Sequence, residues 1–513
     1  MSQQLQAYSI TAPGFYGLNT QDSSLDLASG FALVANNCVI DQYGRVGARK
    51  GWSALNASTN ADLGTSDIKM IAELVDNTGV SYTILAGNNK LYKFSGNTIT
   101  TLTYGGGGTA PTITDSNWQA AALNGYLVLY QLGHEPLAFI PSVSTTTYRR
   151  ISEVTGYAGT VQQSNAVISA YGRTWSANTA TDKNTIQFSD LLAGQVFSAG
   201  SSGSLNVSQV WPNGADEITA LAAHNGFLYI FGRRQILVYQ GANDPAAMFL
   251  ADTVSGIGCC ARDSVALTGT DVFFLSDSGV RSLARTVQEK SAPFRDISAN
   301  VRDDLVTDIN ADTLANIKSM YSDSNAFYLL TFPASNKTYC FDTRTVLPNG
   351  AARVTTWDLV PKALFSNREK EVLFGFTSYV GYYTGNLDRT STYKMTYFSN
   401  YFDLGQPSNI KVLKKLGFTL IGGSGSDIVV KYGFDYSTNY QIRNLNMSTI
   451  EVSEYGTAEY GIAEYSTGIV FDNQRIQGSG SGTVLQFGLE VTINGFELSV
   501  QKLDVFCKLG RTI

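Results

Sequence analysis

The amino-acid sequence predicts an all-β fold, and three features of its composition support that prediction. Hydrophobic residues occupy 43% of the 513 positions and charged residues only 15%, which is the composition of a large folded core rather than of a disordered chain. The 28 tyrosines and 26 phenylalanines favour strands, where aromatic side chains pack well. The 49 glycines indicate many tight turns.

A recurring pair of short aromatic strands, separated by a polar turn, predicts the architecture. The apolar centres of seven such pairs lie at Leu85, Leu127, Trp175, Leu228, Phe273, Leu329 and Leu373. Their successive separations are 42, 48, 53, 45, 56 and 44 residues. This spacing is typical of a β-propeller blade, because radial packing of blades buries both faces of every sheet. We therefore expect a propeller platform of about six blades over residues 51–395. An array of β-sandwiches is the alternative.

Three further segments complete the predicted organisation. Residues 1–50 are expected to form an N-terminal extended segment, and residues 396–513 an additional β-sandwich-like region with period-two alternation. Residues 297–321 carry apolar side chains at a spacing of four, which predicts a few short helices inserted in the propeller. Asp312 is expected to cap the second of these helices, which would contain Leu314, Ile317 and Met320.

A short tandem, EYGTA-EYGIA-EYSTG, begins at Glu454 within the C-terminal region. It repeats a Glu-Tyr pair every five residues and places tyrosines at Tyr455, Tyr460 and Tyr465. One interpretation is a solvated loop. The other is a protruding element whose tyrosines contact a partner.

Charge and cysteine content restrict the possible functions. A formal net charge of −6 disfavours tight, nonspecific DNA binding, which requires a basic surface to neutralise phosphates. The five scattered cysteines contain no CxxC pair and are typical of a reduced protein. The N-terminus lacks the pattern of a signal peptide, and no apolar run approaches the ~18 residues of a membrane-spanning helix.

The sequence gives no sign of a catalytic centre, a metal site or a cofactor site. Its two histidines, His134 and His224, belong to different predicted blades and lie beside no nucleophile motif. Neither a GxSxG elbow nor a phosphate-binding GxxxxGK[ST] loop occurs. We therefore predict a non-enzymatic protein without a cofactor.

Two stretches, residues 12–52 and 228–285, resemble the tail nozzle of short-tailed bacteriophages, a family also called tail tubular protein B or packaged-DNA stabilisation protein. The N-terminal motifs that carry the resemblance are Gly17-Leu18-Asn19, Ala35-Asn36-Asn37, Gly44-Arg45-Val46 and Arg49-Lys50-Gly51-Trp52. The later motifs are Phe231-Gly232-Arg233, Val238-Tyr239, Gly256-Ile257-Gly258-Cys259 and the Phe-Phe-Leu-Ser-Asp string at 273–277. The closing β region is also similar.

The resemblance implies a structural protein of the virion tail that assembles in the host cytoplasm as a homo-oligomeric ring, a hexamer in this family. Its implied partners are a tail adaptor or gatekeeper ring, tail fibres or a needle, and viral DNA that passes through the lumen without sequence-specific binding. The implied function is to retain packaged DNA and to conduct it during ejection. The alternatives are a propeller that binds or degrades glycans as a tail protein, and a cellular scaffold.

Arg45, Arg49 and Lys50 form a small basic cluster within the first of the similar stretches. One interpretation is a solvated turn. The other is a salt-bridging contact to a neighbouring subunit or to the adaptor.

Overall fold

The computed structural model describes residues 5–24, 26–114, 117–289, 296–423, 426–447 and 471–512. About half of these described residues are in strands (51%) and only 6% are in helices, which confirms the all-β prediction. Residues 5–54 contribute six short strands. They are β1 (Leu5–Thr11), β2 (Gly17–Leu18), β3 (Phe31–Asn36), β4 (Cys38–Ile40), β5 (Val46–Ala48) and β6 (Trp52–Ala54).

The next strands form radial sheets, each built mainly from neighbouring hairpins. The first sheet contains β7 (Met70–Val75), β8 (Ser81–Gly87), β9 (Lys90–Ser95) and β10 (Thr98–Thr101). The second contains β11 (Thr103–Tyr104), β12 (Trp118–Leu123), β13 (Tyr126–Gln131), β14 (His134–Phe139) and β15 (Thr147–Arg150). The third contains β16 (Ala166–Ala170), β17 (Arg173–Ala177), β18 (Thr185–Phe188) and β19 (Gly203–Asn206).

The remaining radial strands continue the same arrangement. The fourth sheet contains β20 (Ile218–His224), β21 (Phe227–Gly232), β22 (Gln235–Gln240) and β23 (Phe249–Ser255). The fifth contains β24 (Ala266–Leu267), β25 (Val272–Ser276) and β26 (Gly279–Ser282). They are followed by β27 (Lys318–Ser322), β28 (Phe327–Phe332), β29 (Lys337–Val346) and β30 (Ala352–Trp357), and then by β31 (Ala363–Ser366), β32 (Val372–Gly375) and β33 (Val380–Tyr383).

The innermost strands close a ring, which makes this body a β-propeller. They contact one another in the order β7, β12, β16, β20, β24, β27 and β31, and β31 returns to β7. The contact between β20 and β24 runs through the 3-10 turn Arg262–Ser264. Strand β6 closes the last sheet by pairing with β33. Of the sheets formed by the described residues, six are self-contained blades, whereas β27 to β30 fill a seventh position and continue into a larger sheet. The predicted propeller is confirmed.

In the part of the chain that the structure describes, two helices and several 3-10 turns interrupt the strands. The helices are α1 (Leu283–Glu289) and α2 (Arg302–Ala311), and the turns near α2 are Ala299–Val301 and Leu314–Asn316. Helix α2 confirms the first predicted helix of 297–321, and its Leu305 and Ile309 are buried.

The second helix predicted in 297–321 is wrong. After one 3-10 turn the chain enters β27, the innermost strand of its blade, so burial at the propeller axis overrides the helical spacing of apolar residues. Asp312 therefore caps no second helix. One oxygen of its carboxylate accepts from the backbone N–H of Thr313 (2.8 Å), and the other accepts from that of Ala334 (2.9 Å).

The C-terminal region forms two packed sheets, which we call the sandwich. Its strands are β34 (Tyr393–Ser399), β35 (Asn409–Gly422), β36 (Asp427–Phe434), β37 (Gln441–Asn446), β38 (Phe471–Gln477), β39 (Ser481–Gly482), β40 (Leu485–Ile493) and β41 (Leu498–Thr512). One sheet has the order β38-β35-β41-β5-β4, with β1 on β41 and β39 on β35. The other has the order β27-β28-β29-β30-β2-β3-β34-β40-β36-β37.

A single hydrophobic core lies between the two sheets of the sandwich. It includes Val430 and Leu489 of one sheet and Leu416 and Leu503 of the other. The predicted β-sandwich-like region is therefore present. Strands from the first fifty residues belong to both of its sheets, and the ten-stranded sheet connects it to the propeller.

Candidate functional site

Arg49 lies where the propeller meets the sandwich, and only 1% of its surface is exposed. Its guanidinium donates two hydrogen bonds to the carboxylate of Asp388, each 2.7 Å long, and a third from Nε to Oδ1 of Asn37 (2.9 Å). It also lies 4.1 Å from the ring centroid of Tyr393. Partners within the chain therefore surround the Arg49 side chain, and its role as a subunit or adaptor contact stays a prediction.

Asn37 joins three segments of the chain at the same place. Its side-chain amide donates to Oδ2 of Asp358 (2.9 Å) and to the carbonyl of Lys394 (2.8 Å). Its Oδ1 accepts from the backbone N–H of Asp358 (3.0 Å) as well as from Arg49. Asp358 follows the propeller strand β30, and Lys394 lies in the sandwich strand β34. The Asn37 side chain therefore connects both bodies.

Two glycines let the backbone approach closely in this region. A Cβ on Gly17, whose φ is +82°, would lie 2.5 Å from the carbonyl oxygen of Val354. A Cβ on Gly51 would lie 1.9 Å from the carbonyl oxygen of Leu387. Any other residue would push these segments apart. We call Asn37, Arg49, Gly51, Trp52 and Asp388 the junction.

Arg45 and Lys50 line a cavity of about 750 Å³ beside the junction. Arg45 donates from Nε to Oε1 of Gln501 (2.6 Å) and lies 3.8 Å from the carboxylate of Asp41. Lys50 is exposed, and within the described residues its ammonium group forms no ion pair. Their role as subunit or adaptor contacts stays a prediction. The tandem tyrosines Tyr455, Tyr460 and Tyr465 lie outside the described residues.

A second polar cluster closes the propeller at its axis. Arg262, in the turn before β24, donates to the carbonyl of Asn165 (2.5 Å), the carbonyl of Trp118 (2.7 Å) and Oδ1 of Asn117 (2.7 Å). These partners lie at the starts of the second and third blades, whereas Arg262 precedes the fifth. The guanidinium therefore connects blades that are not neighbours in the ring.

Asp263 and Lys318 complete this cluster. Lys318 Nζ donates to Oδ1 of Asn117 (2.8 Å) and to the carboxylate of Asp263, which also accepts from Nε of Arg262 (2.7 Å). Burial opposes ionisation of Asp263, but the charges of Arg262 and Lys318 outweigh it and lower its pKa to about 2. We call Arg262, Asp263, Lys318, Asn117 and Asn165 the axial plug.

The propeller cavity at the plug is small. It measures about 570 Å³, and residues of all seven innermost strands line it together with Arg262, Asp263 and Lys318. That volume lies within the usual range of a small-molecule pocket, roughly 300–1,000 Å³. Sequence analysis missed the plug, because its members are far apart in the chain.

The His, Cys, Asp and Glu side chains of the described residues form no cluster typical of a metal site, since no group of three of them could hold a metal ion. All five cysteines are buried and free, and burial raises the pKa of Cys259 to about 12. His224 Nε2 lies 3.2 Å from the carbonyl oxygen of Thr270. No described helix is long and apolar enough to cross a membrane.

Among known proteins, similarity to this chain is found in solved structures. No protein-family model and no curated protein match the chain. The chain is similar to PorZ of Porphyromonas gingivalis, an essential surface component of the type-IX secretion system, at 12% identity and a TM-score of 0.37 over 64% of this chain and 37% of that one. It is similar to the Pan2 WD40 domain of Neurospora crassa at 9% identity and a TM-score of 0.38, over 65% and 95% of the two chains.

A third similar structure is the extracellular domain of BT4673 from B. thetaiotaomicron, at 9% identity and a TM-score of 0.41, over 87% of this chain and 63% of that one. The matched region thus spans little more than a third of PorZ. The closed ring of innermost strands places the chain among β-propeller proteins, here with an attached sandwich.

Proposed function

We propose that this chain is a subunit of the tail nozzle of a short-tailed bacteriophage, where a ring of copies retains packaged DNA and conducts it during ejection. The observation that carries the proposal is the location of the N-terminal motifs of the resemblance. Asn37, Arg49 and Gly51 belong to those motifs and form the junction between propeller and sandwich. The similar residues are thus the ones that set how the two bodies are joined.

In this proposal the DNA passage lies between copies of the chain and not inside one propeller. The propeller cavity is only about 570 Å³, and Arg262 connects opposite blades across it. A DNA duplex does not fit such a space. Identical copies joined through two different surfaces form a closed ring when the rotation between neighbours closes, and such a ring has a lumen.

Two described surfaces suit contacts between neighbouring copies or with the adaptor. Lys50 is exposed at the mouth of the junction cavity and can meet a carboxylate. Phe249 and Leu250 are 55% and 38% exposed on β23, the outermost strand of the fourth blade. Exposed apolar side chains on an unpaired strand edge favour association. Fibres or a needle would attach to the assembled ring in the virion tail.

The test is the mass and shape of the purified full-length chain in concentrated solution. Light scattering should give a closed oligomer, six copies by the resemblance, and electron microscopy should show rings with a central opening. Lys50→Glu should weaken assembly without unfolding the chain, whereas Lys370→Glu, on an exposed ion pair with Asp323, should not. A chain that stays monomeric at every concentration would contradict the proposal.

A glycan array separates the alternative function. Saturable carbohydrate binding by a chain that remains monomeric would favour a glycan-binding or glycan-degrading tail protein. Rings that bind no glycan would support the nozzle.

A further inference from the structure

Lys318, Asn117 and Asp263 of the axial plug bring an amine, an amide and a carboxylate into direct contact. Lys318 Nζ donates to Oδ1 of Asn117 (2.8 Å) and also to the carboxylate of Asp263. The carbonyl carbon of Asn117 lies one C=O bond length, about 1.23 Å, from that oxygen. The lysine nitrogen is therefore at most about 4 Å from this carbon, close to the roughly 3–3.5 Å of a reacting pair.

Arg262 polarises the amide carbonyl of Asn117. Its Nη2 donates to the same Oδ1 (2.7 Å), so two cationic donors are directed at one carbonyl oxygen. Donors in such positions stabilise the negative charge that develops on the oxygen when a nucleophile adds to the carbon. Nε of Arg262 donates to Asp263 (2.7 Å), which holds the carboxylate beside the lysine. The Asn117 carbon is thus a better electrophile than that of an ordinary asparagine.

The amine and the carboxylate lie largely away from solvent. Only 15% of the Lys318 side chain and 16% of the Asp263 side chain are exposed. Burial lowers the pKa of the Lys318 ammonium group, and the charge of Arg262 acts in the same direction, while Asp263 opposes both. A lowered pKa increases the fraction of neutral amine, which is the nucleophilic form. The Asp263 carboxylate is in place to accept the proton that this amine releases.

We propose that Lys318 and Asn117 join in an isopeptide bond, which forms without another protein once the propeller has folded. The lone pair of the neutral Nζ forms a bond to Cγ of Asn117, and the π electrons of the C=O bond move to Oδ1 beside Arg262. Asp263 takes a proton from Nζ and transfers it to Nδ2 of Asn117. The C=O bond then forms again and the Cγ–Nδ2 bond breaks. Ammonia leaves into a recess of about 380 Å³ that Asn117 and Lys318 both line.

The bond connects two distant blades of the propeller. Asn117 directly precedes β12 of the second blade, Lys318 is the first residue of β27, and the two lie 201 positions apart. A cross-link that closes so long a loop stabilises the fold by lowering the entropy of the unfolded chain. Arg262 remains as the cation paired with Asp263 after Lys318 has become a neutral amide. The proposal stands on the axial plug and does not depend on the nozzle function.

Mass spectrometry of the purified, denatured full-length chain tests the bond. We expect an intact mass lower than that of the unlinked chain by one ammonia molecule. Tandem mass spectrometry of a tryptic digest should find a branched peptide that joins Lys318 to Asn117, without cleavage after Lys318. A digest that contains only separate peptides, with free Lys318 and unmodified Asn117, would overturn the proposal.

Matched variants assign the loss of ammonia to this pair. Lys318→Arg and Asn117→Ala should restore the full mass, whereas Lys370→Arg, on the exposed ion pair with Asp323, should retain the loss. Asp263→Asn cannot accept the proton, so most of this variant should stay unlinked. Circular dichroism verifies that each variant is folded, and the wild-type digest decides the proposal where one is not. A loss of ammonia that persists in Lys318→Arg would place it elsewhere in the chain and contradict the proposal.

Discussion

The propeller and the sandwich differ in how far apart in the sequence their paired strands lie. In the propeller, most strands pair with their neighbours in sequence, as β7 to β10 do. In the sandwich, strands from the two ends of the chain pair, so that Leu5 lies opposite Lys508 and Ile10 opposite Leu503. The blades are therefore specified locally, whereas the sandwich depends on contacts across almost the whole sequence.

The two bodies nevertheless share one closing segment. Trp52, which follows the junction glycine, pairs with Tyr383 in β6 and β33 and so completes the last blade. Arg49, three residues earlier, holds Asp388 and Asn37 beside the sandwich. We therefore expect substitutions at the junction to destabilise both the propeller and the sandwich, and substitutions elsewhere to destabilise only one of them.

The largest expected effect is that of Arg49→Ala. It would leave the carboxylate of Asp388 and the side-chain Oδ1 of Asn37 without their buried cation, which typically costs about 3–5 kcal/mol of unfolding free energy. Chemical denaturation measures the loss. Arg233→Ala is the control, because its pair with Asp277 is exposed on both sides and is worth about 0–1 kcal/mol. A loss equal to that of the control would contradict the role of the junction.

Gly51→Ala should also destabilise the junction, through a steric clash and not through the loss of an ion pair. Its new Cβ would meet the Leu387 carbonyl oxygen at 1.9 Å, so the backbone must shift, at a cost of about 3 kcal/mol. Gly107→Ala provides the comparison, since nothing lies within 4 Å of its added Cβ. We expect the control to stay within about 0.5 kcal/mol of the wild type. Equal denaturation midpoints for the two variants would refute the close approach.

The axial plug gives the propeller a pH-dependent contact of its own. The pKa of Asp263 falls from 3.8 to about 2 on folding, so its ionised form stabilises the fold above pH ~4 and this contribution is lost as the pH falls toward ~2. The shift corresponds to about 2 kcal/mol. Asp263→Asn should flatten this part of the stability profile measured by denaturation. Asp323→Asn, on the exposed pair with Lys370, should leave its shape unchanged.

The smallest effect on stability is expected for Lys50→Ala. Its side chain is exposed, so the unfolding free energy should change by less than about 0.5 kcal/mol. Assembly measured by light scattering should nevertheless weaken if Lys50 contacts a neighbouring copy. A variant that assembles as the wild type does would remove Lys50 from the interface.

The sequence predicts the features that depend on local contacts, such as the blades, better than those that depend on residues far apart in the chain. The recurrence of apolar centres from Leu85 to Leu373 predicts the propeller, because each blade packs its own nearby strands. Arg49 was expected at the surface, since arginines are rarely fully buried and its partner Asp388 lies 339 positions away. The axial plug was missed for the same reason, because Arg262 meets Asn165 and Asn117 across 97 and 145 positions.

Cryo-electron microscopy of the purified oligomer tests the central claim most directly. We predict a closed ring whose lumen lies between copies and is wide enough for a DNA duplex, with Arg262 closing the axis of every propeller. Isolated monomers, or a ring whose through-passage runs along the propeller axes, would contradict the claim.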